Sequence, residues 1–381
     1  MAWEVRKLGD VAKIMYGYTE SANINEIGPK FLRITDIQDS YVNWDTVPYC
    51  KINESDFKKH KLRDGDIVFA RTGATTGKSY LLENPPDSVA ASYLIKVHLE
   101  NTTLKPEFLY QYFQSGEYWD IIKIGKTGST LGGFNATKLS ELEIPIPPLD
   151  EQKRIVAILD EAFSAISTAK ENAEKNLKNA KELFESYLYN IFEKKGKDWE
   201  EKKLGEVAEY VKISNDKNLP YVGLENIESG TGKFIGSLEP LVVKSSTFYF
   251  TDKHVLYGRL RPYLNKVLLP EFEGHCSTEI FPILAKKNLD RRFLSLWLMY
   301  KKTMDSINAT CTGARMPRAN MNAVLDFVIP FPPLKEQQRI VAKLDALSEQ
   351  TKKLEAVYAK KIADLDELKK SILQKAFRGE L

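Results

Sequence analysis

The chain has 381 residues, with 55 Lys and Arg against 52 Asp and Glu and a formal net charge of +3. At about 100–200 residues per domain this length predicts two or three domains, and 43% hydrophobic with 28% charged residues excludes a disordered chain. Three scattered cysteines (Cys50, Cys276, Cys311) exclude a disulfide framework and fit a reducing, cytoplasmic setting; no apolar stretch of about 18 residues offers a membrane span, and Met1–Val5 lacks the start of a signal peptide.

In chain order, residues 1–149 consist of short apolar or alternating runs broken by Gly, Pro, Asn and Asp. They read as strands and turns, with Asp66–Ala70 as one example. Thr72–Ser79 resembles a phosphate-binding loop, but three residues separate Gly73 from Gly77 where that motif needs four. Tyr80–Leu82 predicts a strand where a helix N-terminus would have to hold the phosphate. What remains is a polar Gly/Thr loop carrying Arg71, Thr72 and Lys78, suited to touching a phosphate backbone. Glu83–Asp87 contains Asn-Pro-Pro, but Asp87 stands where an amino methyltransferase needs a ring to stack a flipped base. A helix is predicted over Pro106–Gln114, then a loop, Gly125–Thr130, carrying Lys126. Pro147-Pro148-Leu149 ends this part, since paired prolines continue neither a helix nor a central strand.

A long helix is predicted from Glu151 to about Phe192. Ile155, Leu159, Ala162, Ile166, Ala169, Ala173, Ala180, Leu183 and Tyr187 hold a heptad seam, and its small residues suit a closely packed partner helix. At Trp199 the plan begins again. Trp199–Ala208 repeats Trp3–Ala12, Tyr221–Ile227 follows Phe31–Ile37, His254–Arg259 follows Asp66–Arg71, and Ile329–Ala342 repeats Ile144–Ala157. A period near 190 residues is too long for a solenoid and means one duplicated two-part unit.

The second copy carries a helical stretch over Arg292–Met304 and two basic groups of its own. Arg259, Arg261 and Lys266 follow a predicted strand; Arg315, Arg318 and Asn320 lie in the loop Thr312–Asn320. Arginine can clamp phosphate or bind guanine bidentately, and Asn suits adenine. Arg71 occupies the position of Arg259, and Gly125–Thr130 that of the later Gly/Arg loop. From Glu336 to about Phe377 a second long helix carries Ile340, Leu344, Leu347, Thr351, Leu354, Tyr358, Leu365, Leu368 and Ile372 at 4-3 spacing. Antiparallel pairing is expected to use Leu159, Ile166, Ala169 and Ala173 on one helix and Leu344, Leu347, Leu354, Leu365 and Leu368 on the other. His60, His98, His254 and His275 stand singly, and no zinc spacing or nucleophile motif is present. No catalytic or metal site is therefore expected.

Two globular units, each closed by Pro-Pro-Leu-x-Glu-Gln-x-Arg-Ile-Val and a long helix, resemble the DNA-specificity subunits of type I restriction–modification enzymes. Asp64–Ala74 and the ending Leu368–Leu381 resemble that family too. The resemblance implies an α+β fold: two mixed α/β target-recognition domains joined by an antiparallel coiled coil, an internal repeat with pseudo-twofold symmetry. The segments are 1–149, a helical spacer 150–198, 199–334, and a helical spacer 335–381. It further implies that each domain reads one half of a split, asymmetric site in double-stranded DNA. Two methyltransferase subunits and the restriction/translocase subunits would then be partners, with S-adenosylmethionine, ATP and Mg on those partners and no membrane contact. A scaffold with two protein-binding domains is the alternative from another class, and a mobility-shift assay on random DNA separates the two. Residues 1–149 carry a net charge of −2 and 199–334 a net of +3, so contact with DNA is expected from local basic loops, shared with the modification subunits.

Overall fold

The computed structural model describes residues 3–38, 41–100, 103–126, 133–194, 196–214, 218–313 and 315–381. The chain forms two compact units, Met1–Ala173 with Lys360–Leu381, and Glu174–Ala359. Both are α+β and both follow one plan.

In unit 1 an antiparallel sheet has the strand order Ala12–Tyr16, Leu94–Leu99, Ile67–Ala70, Ser79–Leu81. Unit 2 repeats it as Ala208–Tyr210, Ile280–Ala285, His254–Gly258, Val267–Leu268. The central strands Ile67–Ala70 and His254–Gly258 are buried at every residue, which explains their unbroken apolar runs. A smaller sheet pairs Lys30–Leu32 with Ser88–Ala90 in parallel, and Tyr221–Val222 with Gly274–Ser277 likewise. The ends of each copy meet in a two-stranded ribbon: Glu4–Lys7 on Glu143–Ile146, and Glu200–Lys203 on Val328–Phe331. Those ribbons are the two best-repeated sequence segments, and Pro145 and Pro330 are tolerated there because each ribbon has only two strands. The strand expected after Lys78 is Ser79–Leu81. The helical stretch expected over Arg292–Met304 is two helices, Arg291–Met299 and Lys301–Ala309, broken at Tyr300, whose backbone is extended (φ −61°, ψ 129°).

The long helices span Leu149–Glu193 and Leu334–Arg378. A buried glutamine fixes the start of each. The Gln152 amide donates to the carbonyls of Thr103 and Pro147 (both 2.8 Å), and its oxygen accepts from the Lys105 N–H (2.8 Å). Gln337 does the same for Asn288, Pro332 and Asp290 (2.9, 2.8 and 2.8 Å). Both side chains are wholly buried. The Gln of the repeated motif is thus a structural bolt between the helix start and the loop that enters the next globular helix. One turn on, Arg154 forks onto Glu151 and Arg339 onto Glu336, holding each carboxyl below its ordinary value.

Within unit 1, Ile155 and Leu159 of the first long helix share a core with Leu373, Ala376 and Phe377 of the second. Lys170 reaches Asp366 (2.7 Å) and Lys369 lies over Phe163 (4.8 Å), so the segments run antiparallel. Within unit 2, Leu188 and Phe192 share a core with Ile340 and Leu344, and Lys343 lies over Tyr187 (4.9 Å). Of the residues expected in the pairing faces, Leu159, Ile166, Ala173 and Leu344 are buried, and Ala169, Leu347 and Leu365 are half-buried. Leu354 and Leu368 are corrections: they are 41% and 47% exposed, and Leu183 is 46% exposed. Residues 344, 351, 358, 365 and 372 are on the covered stripe as expected, but the positions between them follow a +4 step, through Ser348, Glu355 and Ile362. In the first helix Phe184 likewise replaces Leu183. On a helix of 3.6 residues per turn, i+3 and i+4 are both neighbours, and the leucines drew the seam to the wrong side.

Tyr257 is 1% exposed on the central strand of unit 2, and among the described residues its hydroxyl has no hydrogen-bond partner. Unit 1 has Phe69 at the matching register, Phe69 facing Ile95 as Tyr257 faces Phe281. A buried hydroxyl without a partner costs about 1–3 kcal/mol, so Tyr257→Phe is expected to raise stability by about 1 kcal/mol in urea denaturation. A loss of stability would show that the hydroxyl is satisfied in solution.

Candidate functional site

The two basic loop groups of unit 2 lie against each other. The Arg259 carbonyl accepts from the Ala319 N–H (2.9 Å), and the Arg261 N–H donates to the Pro317 carbonyl (2.8 Å). Thr312 and Arg318 exchange both backbone hydrogen bonds (3.2 and 3.1 Å), closing the second loop as a hairpin. In unit 1 the Arg71 carbonyl accepts from the Phe134 N–H (2.9 Å), and Arg71 N–H donates to Tyr93 as Arg259 N–H does to Glu279. This register makes Arg71 and Arg259 equivalents, as the repeat suggested. It also matches Gly133 with Arg318 and Tyr93 with Glu279.

The guanidinium groups are presented alike. Arg71 stacks over Tyr16 (4.9 Å) and Arg259 over Phe281 (5.2 Å). Arg71 Nε donates to the Ser92 carbonyl (2.9 Å), and Arg259 Nε to the Glu279 carboxylate (3.0 Å). Each arginine is therefore anchored through Nε and an aromatic face, which fixes the plane of its remaining N–H groups. Arg318 donates to the same carboxylate through Nε (2.9 and 3.1 Å) and pairs through Nη2 (2.9 Å). Burial alone would raise the Glu279 carboxyl, but the hydrogen bonds from Arg318 and Arg259 outweigh it and hold the acid below its ordinary value.

The loop after each arginine has one backbone shape. In unit 1 the left-handed positions are Gly73 (φ 74°) and Gly77 (φ 97°); in unit 2 they are Arg261 (φ 51°) and Asn265 (φ 49°). Asn tolerates this region, and Asn265 is tied down by its amide on the Met299 carbonyl (2.9 Å). A left-handed arginine costs about 1–2 kcal/mol. Arg261 is exposed and so holds this strained position while its side chain meets solvent.

Among the other expected residues, Thr72 is half-buried, Lys78 is exposed on the Gly/Thr loop and Arg315 is exposed at the tip of the hairpin. Lys126 ends the helix Gly116–Lys126, and the loop residues 127–132 lie outside the described residues, as does Ala314. Two of the expected residues also have partners within the fold. The Lys266 ammonium donates to the carbonyls of Leu224 and Ile227 (2.6 and 2.8 Å), closing the turn Leu224–Asn226. Asn320 caps the helix Met321–Leu325 with its side-chain oxygen, as Asn135 caps Ala136–Ser140. Sequence reasoning missed Glu279, which only the sheet register brings to the arginines, and the half-exposed Tyr263 (50%) and Tyr93 (60%) beside them. Among the described residues no group of three His, Cys, Asp or Glu is placed to hold a metal, and no helix is long and apolar enough to cross a membrane.

Among the described residues, fold and loops define a class: a duplicated α+β chain in which each copy carries an anchored arginine at the end of a central strand and contributes to two long helices. The family model for the type I restriction modification DNA specificity domain matches residues 2–179 and 196–362. The chain belongs to this family, the non-catalytic specificity subunits of type I restriction–modification enzymes. The type I restriction enzyme EcoDI specificity subunit of Escherichia coli is 25% identical, over 74% of this chain and 72% of that one. The MjaVIII specificity subunit of Methanocaldococcus jannaschii is 21% identical, over 100% and 93%. The HsdS subunit from Thermoanaerobacter tengcongensis shares the fold with a TM-score of 0.66 at 20% identity, over 100% and 97%. A chain solved in work on complex assembly and conformational transition of the type I R-M system gives 0.78 at 21%, over 100% and 98%.

Proposed function

We propose that each unit reads one half of a split, asymmetric site in double-stranded DNA, and that the long helices space the halves and dock two modification subunits. Restriction/translocase subunits complete the assembly, and S-adenosylmethionine, ATP and Mg belong to those partners. The observation that carries this reading is the recurrence, in both units, of an arginine at the same register, anchored through Nε and stacked on an aromatic ring that a different strand supplies in each unit. A guanidinium held this way can meet a guanine edge bidentately, and different neighbours in the two units give each half its own preference. Exposed Leu354 and Val357 on the helix of unit 2 suit a protein partner better than water.

The test is selection of bound duplexes from a random pool by the full chain co-expressed with modification subunits, followed by sequencing. A two-part motif with a fixed spacer is expected; binding without sequence preference would contradict the reading. Arg261→Gly gives a second check. Glycine removes the left-handed strain, so stability is expected to stay level or rise by about 1 kcal/mol, while affinity for the selected site falls about tenfold through one lost contact. Thermal unfolding and fluorescence anisotropy measure the two effects.

A further inference from the structure

We infer that Glu279 is a positioning residue for base preference in unit 2, holding Arg259 and Arg318 in one fork so that their outward N–H groups meet a guanine edge. This rests on the reading of the unit as a DNA reader. Both arginines end on the one carboxylate, at 2.9–3.1 Å. Arg259 reaches the acid through Nε, and its guanidinium carbon lies 5.2 Å from the centre of the Phe281 ring. Without the acid, two like charges at this distance would separate; with it, the pair carries one net positive charge in a fixed geometry.

A carboxylate is an unfavourable choice beside a polyanion if attraction were all that mattered. Glu279 is 22% exposed in its side chain, close enough to the surface for its charge to oppose phosphate. Its presence makes sense as orientation of donors toward base edges, which carry sequence information that phosphates do not. Unit 1 has Tyr93 and Gly133 at the matching positions, so the fork belongs to one unit and its effect must be confined to one half of the motif.

The experiment compares the full chain, co-expressed with modification subunits, as wild type, Glu279→Gln and Arg318→Lys, in duplex selection and in anisotropy on an unselected duplex. Glu279→Gln keeps size and loses the charge; Arg318→Lys keeps the charge and loses the fork. Both are expected to lower preference about tenfold at the same base positions of one half, leaving the other half intact. Glu279→Gln is also expected to bind the unselected duplex more tightly, because one negative charge beside the phosphates is gone, so the loss of preference in one half cannot come from weaker binding overall. Wild-type preference retained at every position, or weaker binding to all duplexes with preference unchanged, overturns the role of Glu279. A wild type that selects no motif overturns the DNA-reading proposal itself. Should Glu279→Gln fail to fold, Arg318→Lys decides alone.

Discussion

Replacing Gln152 by Leu is expected to destabilise unit 1 by about 3 kcal/mol, and Gln337→Leu to do the same to unit 2. Leucine fits the volume but makes none of the three hydrogen bonds. One backbone N–H (Lys105 or Asp290) loses its acceptor, and two carbonyls (Thr103 and Pro147, or Asn288 and Pro332) lose their donor. Each buried group left unpaired costs about 1–3 kcal/mol, and partial access of water to the loop trims the sum. Hydrogen exchange resolves where the loss falls: with Gln152→Leu, protection should drop in the helices Pro106–Tyr112 and Leu149–Glu193. A cost below about 1 kcal/mol at both sites would mean that the glutamines are incidental to the helix starts.

Phe377→Ala is expected to cost about 3–5 kcal/mol, the usual range for a buried ring cut back to a methyl. Phe377 is 7% exposed and packs on Phe108 (5.3 Å) and Tyr112 (5.4 Å), edge to face. It plugs the end of the second long helix into the core of unit 1. Phe192 makes the matching contacts in unit 2, with Phe293 (5.5 Å) and Tyr300 (5.4 Å). Urea denaturation of the full chain measures the loss. Little change would mean that the helix end rests on the unit without supporting it.

These two residues show what the sequence made legible. Gln152 and Phe377 both lie in stretches whose repetition or family likeness was plain, and each has a counterpart 185 residues away in the motif or the helix end. The duplication was visible because the ribbon strands and helix starts at the ends of each copy obey the same local rules. The seam was legible in period but not in phase. Leu354 is apolar yet exposed, whereas Glu355 beside it is half-buried on the covered stripe, and only a partner helix decides between them. The basic loops were legible as clusters, but not the use of each charge. Lys266 and Arg259 look alike in sequence; one ammonium closes a turn and one guanidinium stacks on a ring. Glu279 was invisible because its role depends on the strand register that seats it beside Arg259 and on the hairpin that delivers Arg318.

The central claim is that the two units read separate halves of one site, and the most direct measurement sets Arg71→Ala against Arg259→Ala. Each variant of the full chain, assembled with modification subunits, selects duplexes from a random pool. Arg71→Ala is expected to relax positions in one half of the motif and Arg259→Ala positions in the other, with the spacer unchanged in both. Two variants that relax the same positions, or neither of which changes the motif, would contradict it.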